Sequence, residues 1–101
     1  MSPSGAVNQL LLSACITEIA ALRFTPAGLP AIDLHLEHES TRIESGQSRQ
    51  VKAAMKAVAF SSVAERLARQ ALGSRWLFQG FLANTRQGKH PVLHITDFQQ
   101  D

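Results

Sequence analysis

The sequence predicts a small all-β domain, a five-stranded barrel with one short helix between the third and fourth strands. Apolar and polar residues alternate over residues 32–39, as in a half-buried strand. A strongly apolar run over residues 10–17 and an alternating stretch over residues 75–83 indicate further strands. Between them, residues 63–72 have helical spacing and are followed by a glycine, which often ends a helix.

Length and composition restrict the possibilities. A chain of 101 residues is one domain, and 45% apolar residues favour a folded core. No apolar run reaches the roughly 18 residues of a membrane span. The single Cys15 excludes an internal disulfide and fits a cytoplasmic location. Residues 1–7 lack the basic start of a secretory signal, so we expect a flexible lead-in there and the domain over residues 8–101.

A turn introduces the second predicted strand. In Thr25-Pro26-Ala27-Gly28 the proline presets φ and the glycine permits a positive φ. In the strand that follows, Ile32, Leu34 and Leu36 share one face, and the polar residues between them share the other. Residues 40–50 are polar and predict a loop.

Residues 51–60 fit two structures. As a strand they place Lys52 and Lys56 outward; as a helix their apolar residues line up at helical spacing, and the alanine content favours it. A capping box formed by Ser62 and Glu65 predicts a new helix over residues 63–72. Its inward residues would be Val63, Leu67 and Ala71.

The last third of the chain predicts a hairpin. Trp76, Phe78 and Leu82 face the core with Gly80, where a glycine inside a strand suggests a bulge or a sharp barrel bend. Phe81 lies on the opposite face, at a subunit contact or under a stacked base. A basic loop over residues 84–91 leads to a last strand over residues 92–98.

The charge is unevenly distributed. Residues 1–41 carry one base and four acids, whereas residues 42–89 carry nine bases and two acids. These counts give −3 for the first segment and +7 for the second. A local basic field is what a phosphate backbone requires, although a solvated helix face with scattered surface lysines explains it equally well.

Five strands with a helix after the third is the order of an OB-fold. Several segments extend this likeness, and the most specific is the Thr-Pro-Ala-Gly-Leu-Pro turn with the Leu-Glu-His-Glu-Ser that follows it. With residues 8–16, 44–50, 73–82 and 92–94, this turn and strand resemble the primosomal replication protein N (PriB) family, a branch of the bacterial single-stranded-DNA-binding proteins. The resemblance favours a strand over residues 51–60.

The resemblance implies a homodimer of OB-folds that binds single-stranded DNA and contacts the restart helicase and other primosome proteins. A basic groove of such a fold would hold the strand. The candidate binding residues are Arg23, Arg49, Lys52, Lys56, Arg86, Lys89 and His90. The family's exposed aromatic positions correspond here to Gln47 and Lys52, so we expect weak, salt-sensitive binding carried mostly by charge.

The sequence offers no catalytic motif, metal-ligand set or cofactor fingerprint, so we expect no enzyme, no metal and no cofactor. A second hypothesis is a dimeric interaction module of the primosome in which DNA binding is weak or lost. The acidic outer face of the second predicted strand favours it, with Asp33, Glu37 and Glu39. An RNA-binding OB-fold has only the fold in its favour.

Overall fold

A computed structural model describes residues 5–86 and 88–101, which form six strands and one helix. In chain order these are β1 (Leu10–Ile19), β2 (Arg23–Phe24), β3 (Pro30–Glu44), β4 (Gln47–Phe60), α1 (Ser61–Leu67), β5 (Arg75–Asn84) and β6 (Pro91–Gln99). No helix in the described part of the chain is long and apolar enough to cross a membrane. The lead-in predicted over residues 1–7 falls partly outside the described residues.

The five long strands close into a barrel because β1 has two neighbours. Residues 10–15 of β1 pair with β5, and residues 15–19 pair with β3, with a register shift between Ile16 and Glu18. The sheet then continues from β5 through β6 and β4 to β3. β4 and β6 run parallel, and the other pairs are antiparallel. The short β2 pairs with the start of β3. The predicted five-stranded barrel with one helix is therefore confirmed.

The core follows from the period-two pattern of the strands. Ile32, Leu34 and Leu36 of β3 are buried together with Phe78 of β5, as predicted. The helix α1 adds Ala64 and Leu67, which are fully buried in the same cluster. Trp76 is half-buried at the edge of this core and packs edge-on against Phe98 at 5.1 Å between ring centroids.

The chain over residues 40–50 is not the predicted loop. β3 and β4 remain paired residue by residue to Glu44 and Gln47, and only Ser45 and Gly46 form the turn. Both turn residues have positive φ, 51° and 78°, as in the two-residue hairpin turn that suits the twist of antiparallel strands. The polar composition of this arm reflects its exposure, because it extends beyond the part of β3 that pairs with β1.

The helix also differs from the prediction. It spans Ser61–Leu67, and Phe60 occupies the N-cap position with no side-chain cap hydrogen bond. Ser62 lies inside the helix and therefore cannot cap it, so the predicted capping box does not form. The chain leaves the helix five residues before the predicted end, which leaves Ala71 exposed.

Residues 51–60 belong to β4, so the strand favoured by the resemblance is correct and the helix is not. Lys52 and Lys56 lie on the outer face, opposite Glu39 and His35 of β3. The first strand is two residues longer than predicted, and the last two strands match the predicted positions closely. The predicted loop over residues 84–91 contains Gln87, which lies outside the described residues.

The predicted bulge at Gly80 is present and leaves no room for a side chain. The register between β5 and β6 shifts between Gln79 and Gly80. A methyl group at Gly80 would overlap the backbone carbonyl oxygen of His94. Because the obstructing atom belongs to the backbone of a paired strand, a rotamer change cannot relieve the overlap.

We expect Gly80→Ala to lower the free energy of unfolding by about 2 kcal/mol, because β6 must shift to accept the methyl group. Urea unfolding followed by circular dichroism measures the change. The control is Gln79→Ala, whose side chain is exposed in the same strand and should change stability by less than about 0.5 kcal/mol. Equal stabilities of the Gly80 variant and the wild type would contradict the close packing at this bulge.

Candidate nucleic-acid interface

A groove runs along the outer face of the barrel where β3 and β4 face the loop that joins β5 to β6. Period two places His35 of β3 and Lys56 of β4 outward, and the strand register sets them directly opposite each other. Two adjoining cavities, of about 540 and 610 Å³, share these two residues with Thr85 and Val92. We call this pair of cavities the basic groove.

The basic groove brings together five of the seven residues that the sequence proposed for binding. Arg23 and Arg86 line one cavity, Lys89 and His90 line the other, and Lys56 lines both. These residues come from β2, β4 and the loop after β5, which are far apart in the sequence. Closure of the barrel therefore assembles the basic groove.

Arg49 and Lys52 lie elsewhere. Arg49 is on the hairpin arm, where its Nη1 donates to Glu44 Oε1 at 2.9 Å. Lys52 lines a separate cavity of about 460 Å³ that also contains Glu37, Glu39 and Arg75. The two carboxylates offset the two cations there, so this cavity lacks the net positive charge that a polyanion requires.

The cations of the basic groove differ in how much of their charge is available. The Nε of Arg23 donates to Asp33 Oδ2 at 2.8 Å, and this hydrogen bond and the carboxylate's charge raise the pKa of Arg23. The pair is therefore close to neutral. Among residues 5–86 and 88–101, no carboxylate lies within 4.0 Å of Lys56, Arg86 or Lys89. These three residues supply the fixed positive charge of the basic groove.

An aromatic stack borders the basic groove. The rings of Phe81 and His94 are stacked with 4.8 Å between centroids and an interplanar angle of 17°. Phe60, at the end of β4, lies 6.1 Å from His94 on the side of the groove, and both residues line it. Phe60 and Phe81 are 38% and 37% exposed, so each presents ring surface to solvent.

Sequence reasoning did not find this stack. The sequence allows Phe81 either a subunit contact or a stacked base, and it assigns no role to Phe60 or His94. Which residue of β6 faces Phe81 depends on the bulge at Gly80, because one extra residue changes every pairing beyond it. A stack of this kind is therefore visible only once the strand register is known.

In the described residues no group of three or more histidine, cysteine, aspartate or glutamate side chains could hold a metal ion. Cys15 is a free thiol, half-buried in β1. What the basic groove offers chemically is three unpaired cations, one ion pair and an exposed aromatic edge. This combination can bind a charged polymer with planar groups.

Comparison with known proteins identifies the family. The profile of a family described as "another single-strand binding protein family" matches residues 8–97. The replication restart protein PriB of Bordetella pertussis is 46% identical over 90 residues, which are 88% of this chain and 84% of that protein. The chain belongs to the PriB family. The resemblance seen in the sequence is thus confirmed.

Other members of the PriB family agree with this assignment. The PriB of Nitrosomonas europaea is 36% identical over 91 residues, covering 89% of this chain and 84% of that protein. The solved structure of PriB from Ralstonia solanacearum superimposes with a TM-score of 0.85 at 34% identity, covering 94% of this chain and 98% of that one. The single-stranded DNA binding protein of Thermus aquaticus shares the fold at 23% identity, with a TM-score of 0.74 over 92% of this chain and 49% of that one. The OB-fold prediction is confirmed.

Proposed function

We propose that this protein is a non-catalytic, cytoplasmic accessory factor of the replication-restart primosome that binds single-stranded DNA in the basic groove and contacts the restart helicase. The family supports the primosome role, since its curated members are named replication restart proteins. The observation that carries the DNA-binding part is that three cations without a carboxylate partner among the described residues share one groove with the rings of Phe60 and His94.

In this proposal Lys56, Arg86 and Lys89 contact phosphates, and Phe60 and His94 offer surfaces to bases. Each phosphate contact adds about −0.7 to the slope of log K against log salt, and each stacked base adds about 1–3 kcal/mol. Arg23 and Arg49 add little, because each is paired with a carboxylate. We therefore narrow the proposed contacts to the basic groove, with His90 at its rim.

A second candidate is an interaction module of the primosome whose DNA binding is weak or lost. The outer face of β3 favours it, because Glu37 and Glu39 are exposed there beside Lys52. Gln47 and Lys52 stand where the family's exposed aromatic residues are expected. In this version contacts with the restart helicase and other primosome proteins are the main activity, and DNA contributes little.

A homodimer is part of both candidates, and β1 supplies the argument for it. Residues 10–14 pair with β5 on one side, and no strand of the described chain pairs with them on the other. An unpaired strand edge is a template for pairing with a second strand. Leu11 adds an apolar side chain that is 64% exposed. We propose that a second copy covers this edge.

The main test compares two lysines of β4. We expect Lys56→Glu to raise the dissociation constant for an oligo-dT strand at least about tenfold at low salt, because about 1.4 kcal/mol of binding is lost and a repulsive charge is added. Lys52→Glu is the matched control, an identical charge reversal four residues away in the cavity with Glu37 and Glu39. It should change the constant less than about threefold. Fluorescence anisotropy of the labelled strand measures both.

Equal losses of oligo-dT affinity in the two variants would contradict the proposal that DNA binds in the basic groove. If the wild type does not bind oligo-dT at all but is retained by immobilised restart helicase, the second candidate is correct. If the wild type binds neither oligo-dT nor the helicase, both candidate functions are wrong.

The dimer is tested at Leu11. We expect Leu11→Lys to convert the dimer into an 11.0 kDa monomer, because the new ammonium groups of both copies would be buried at the interface. Light scattering during gel filtration gives the mass. Leu72→Lys is the control, since Leu72 is 66% exposed and the residues that follow it bond to Ile16 and not to the edge over residues 10–14. A monomeric wild type, or a Leu11 variant that stays dimeric, would rule out this interface.

A further inference from the structure

Three of the chain's four histidines line the basic groove. His35 borders both cavities, His94 one and His90 the other. They come from β3, β6 and the loop between β5 and β6. Histidine is the side chain whose charge ordinarily changes between pH 5 and 8. The groove therefore contains three groups that can become cations next to its fixed ones.

The fourth histidine lies apart. The His38 ring bridges Ser13 and Ser40, with Nδ1 2.6 Å from the Ser13 carbonyl oxygen and Nε2 2.8 Å from the Ser40 hydroxyl. It lines the separate cavity that contains Lys52. His38 thus serves as an internal reference, a histidine of the same chain outside the groove.

The charges around the three histidines come from every element of the groove. In order of element they are Glu18 of β1, Arg23 of β2, Asp33 of β3, Lys56 of β4, and Arg86 and Lys89 of the loop. Arg23 and Asp33 neutralise each other. The Glu18 carboxylate oxygen lies 3.9 Å from His35 Nε2. Three fixed cations remain, and protonation of three imidazoles would add as many again.

We propose that protonation of His35, His90 and His94 sets the strength with which the groove holds the phosphates of single-stranded DNA, so that binding tightens as the pH falls from 8 to 6. This inference rests on the proposed function and describes its regulation. Each imidazole takes one proton from solvent at its unprotonated ring nitrogen. The new N–H group then donates a hydrogen bond to a phosphate oxygen.

Proton linkage gives the direction in which DNA binding changes with pH. A bound polyanion favours the protonated imidazoles, so DNA binding takes up protons and a lower pH tightens it. Each new cation that contacts a phosphate also makes the slope of log K against log salt more negative by about 0.7. A histidine side chain is ordinarily neutral at pH 8, so at that pH the attraction for phosphates comes from the fixed cations.

The experiment measures the dissociation constant of a dT oligomer at low salt at pH 6.0, 7.0 and 8.0. Thymine and the phosphodiester do not titrate in this interval, and carboxylates remain ionised. The label is a rhodamine, because fluorescein itself titrates within this interval. We expect the wild type to bind about tenfold more tightly at pH 6.0 than at pH 8.0. The triple variant His35→Gln, His90→Gln, His94→Gln should bind more weakly than the wild type at pH 8.0, because the His94 ring is lost as a surface for bases, and its dissociation constant should change less than about twofold between pH 8.0 and pH 6.0.

Two further variants keep the test decisive. His38→Gln should retain the full pH dependence of the wild type, provided thermal unfolding shows that it folds. His90→Gln, in the exposed loop, should lose part of the dependence even if the triple variant fails to fold. Wild-type binding that is equal at pH 6.0 and 8.0, or a triple variant with the wild-type dependence, would overturn the inference and leave the proposed function intact. If the wild type binds at no pH, the proposed function fails and this inference fails with it.

Discussion

The pairing of β1 with two different strands is the constraint on which the rest of the molecule depends. Its first half pairs with β5 and its second half with β3, and the register shift after Ile16 lets one strand serve both. Without this shift the sheet would stay open, and β3 would not lie beside the loop after β5. The closed barrel buries Ile16, Leu34 and Phe78 at the centre. It also fixes which outward residues meet in the basic groove.

Ion pairing within the chain decides which of the many bases remain available. The segment from residue 42 to residue 89 carries nine bases and two acids, yet several of its arginines are paired in the folded chain. Glu44 holds Arg49, Asp97 holds Arg66 and Asp101 holds Arg75. Surface pairs of this kind contribute little to stability. Lys56, Arg86 and Lys89 have no carboxylate partner among the described residues, and these three lie together in the basic groove.

Local patterns predicted most of the fold. Period two in β3, the turn at Pro26 and Gly28, and the bulge at Gly80 each follow from the residues present, and the structure agrees with all three. The hairpin arm was missed because its strands are polar on both faces, so hydrophobic alternation could not identify them. The turn signal was nevertheless present in Ser45-Gly46, a pair suited to positive φ. The predicted helix start is wrong because the capping box requires the helix to begin after Ser62, whereas the helix begins at Ser61.

The groove itself was only partly predictable. Cationic residues could be named from the sequence, but which of them are paired depends on contacts such as that between Arg23 and Asp33. Lys52 and Lys56 are equivalent in the sequence, four residues apart on one face of a strand. They differ only because carboxylates of β3 surround one and the loop after β5 faces the other. Distinctions of this kind arise from tertiary neighbours and not from local pattern.

The central claim is that the fixed charge of the basic groove carries DNA binding. The most direct measurement is the dissociation constant of wild-type protein for a dT oligomer at pH 8.0 over a range of salt concentrations. Three unpaired cations predict a slope of about −2 for log K against log salt, with affinity that is weak at physiological salt. A sub-micromolar affinity that persists at high salt would contradict the claim, because contacts other than the fixed cations would then supply most of the binding energy.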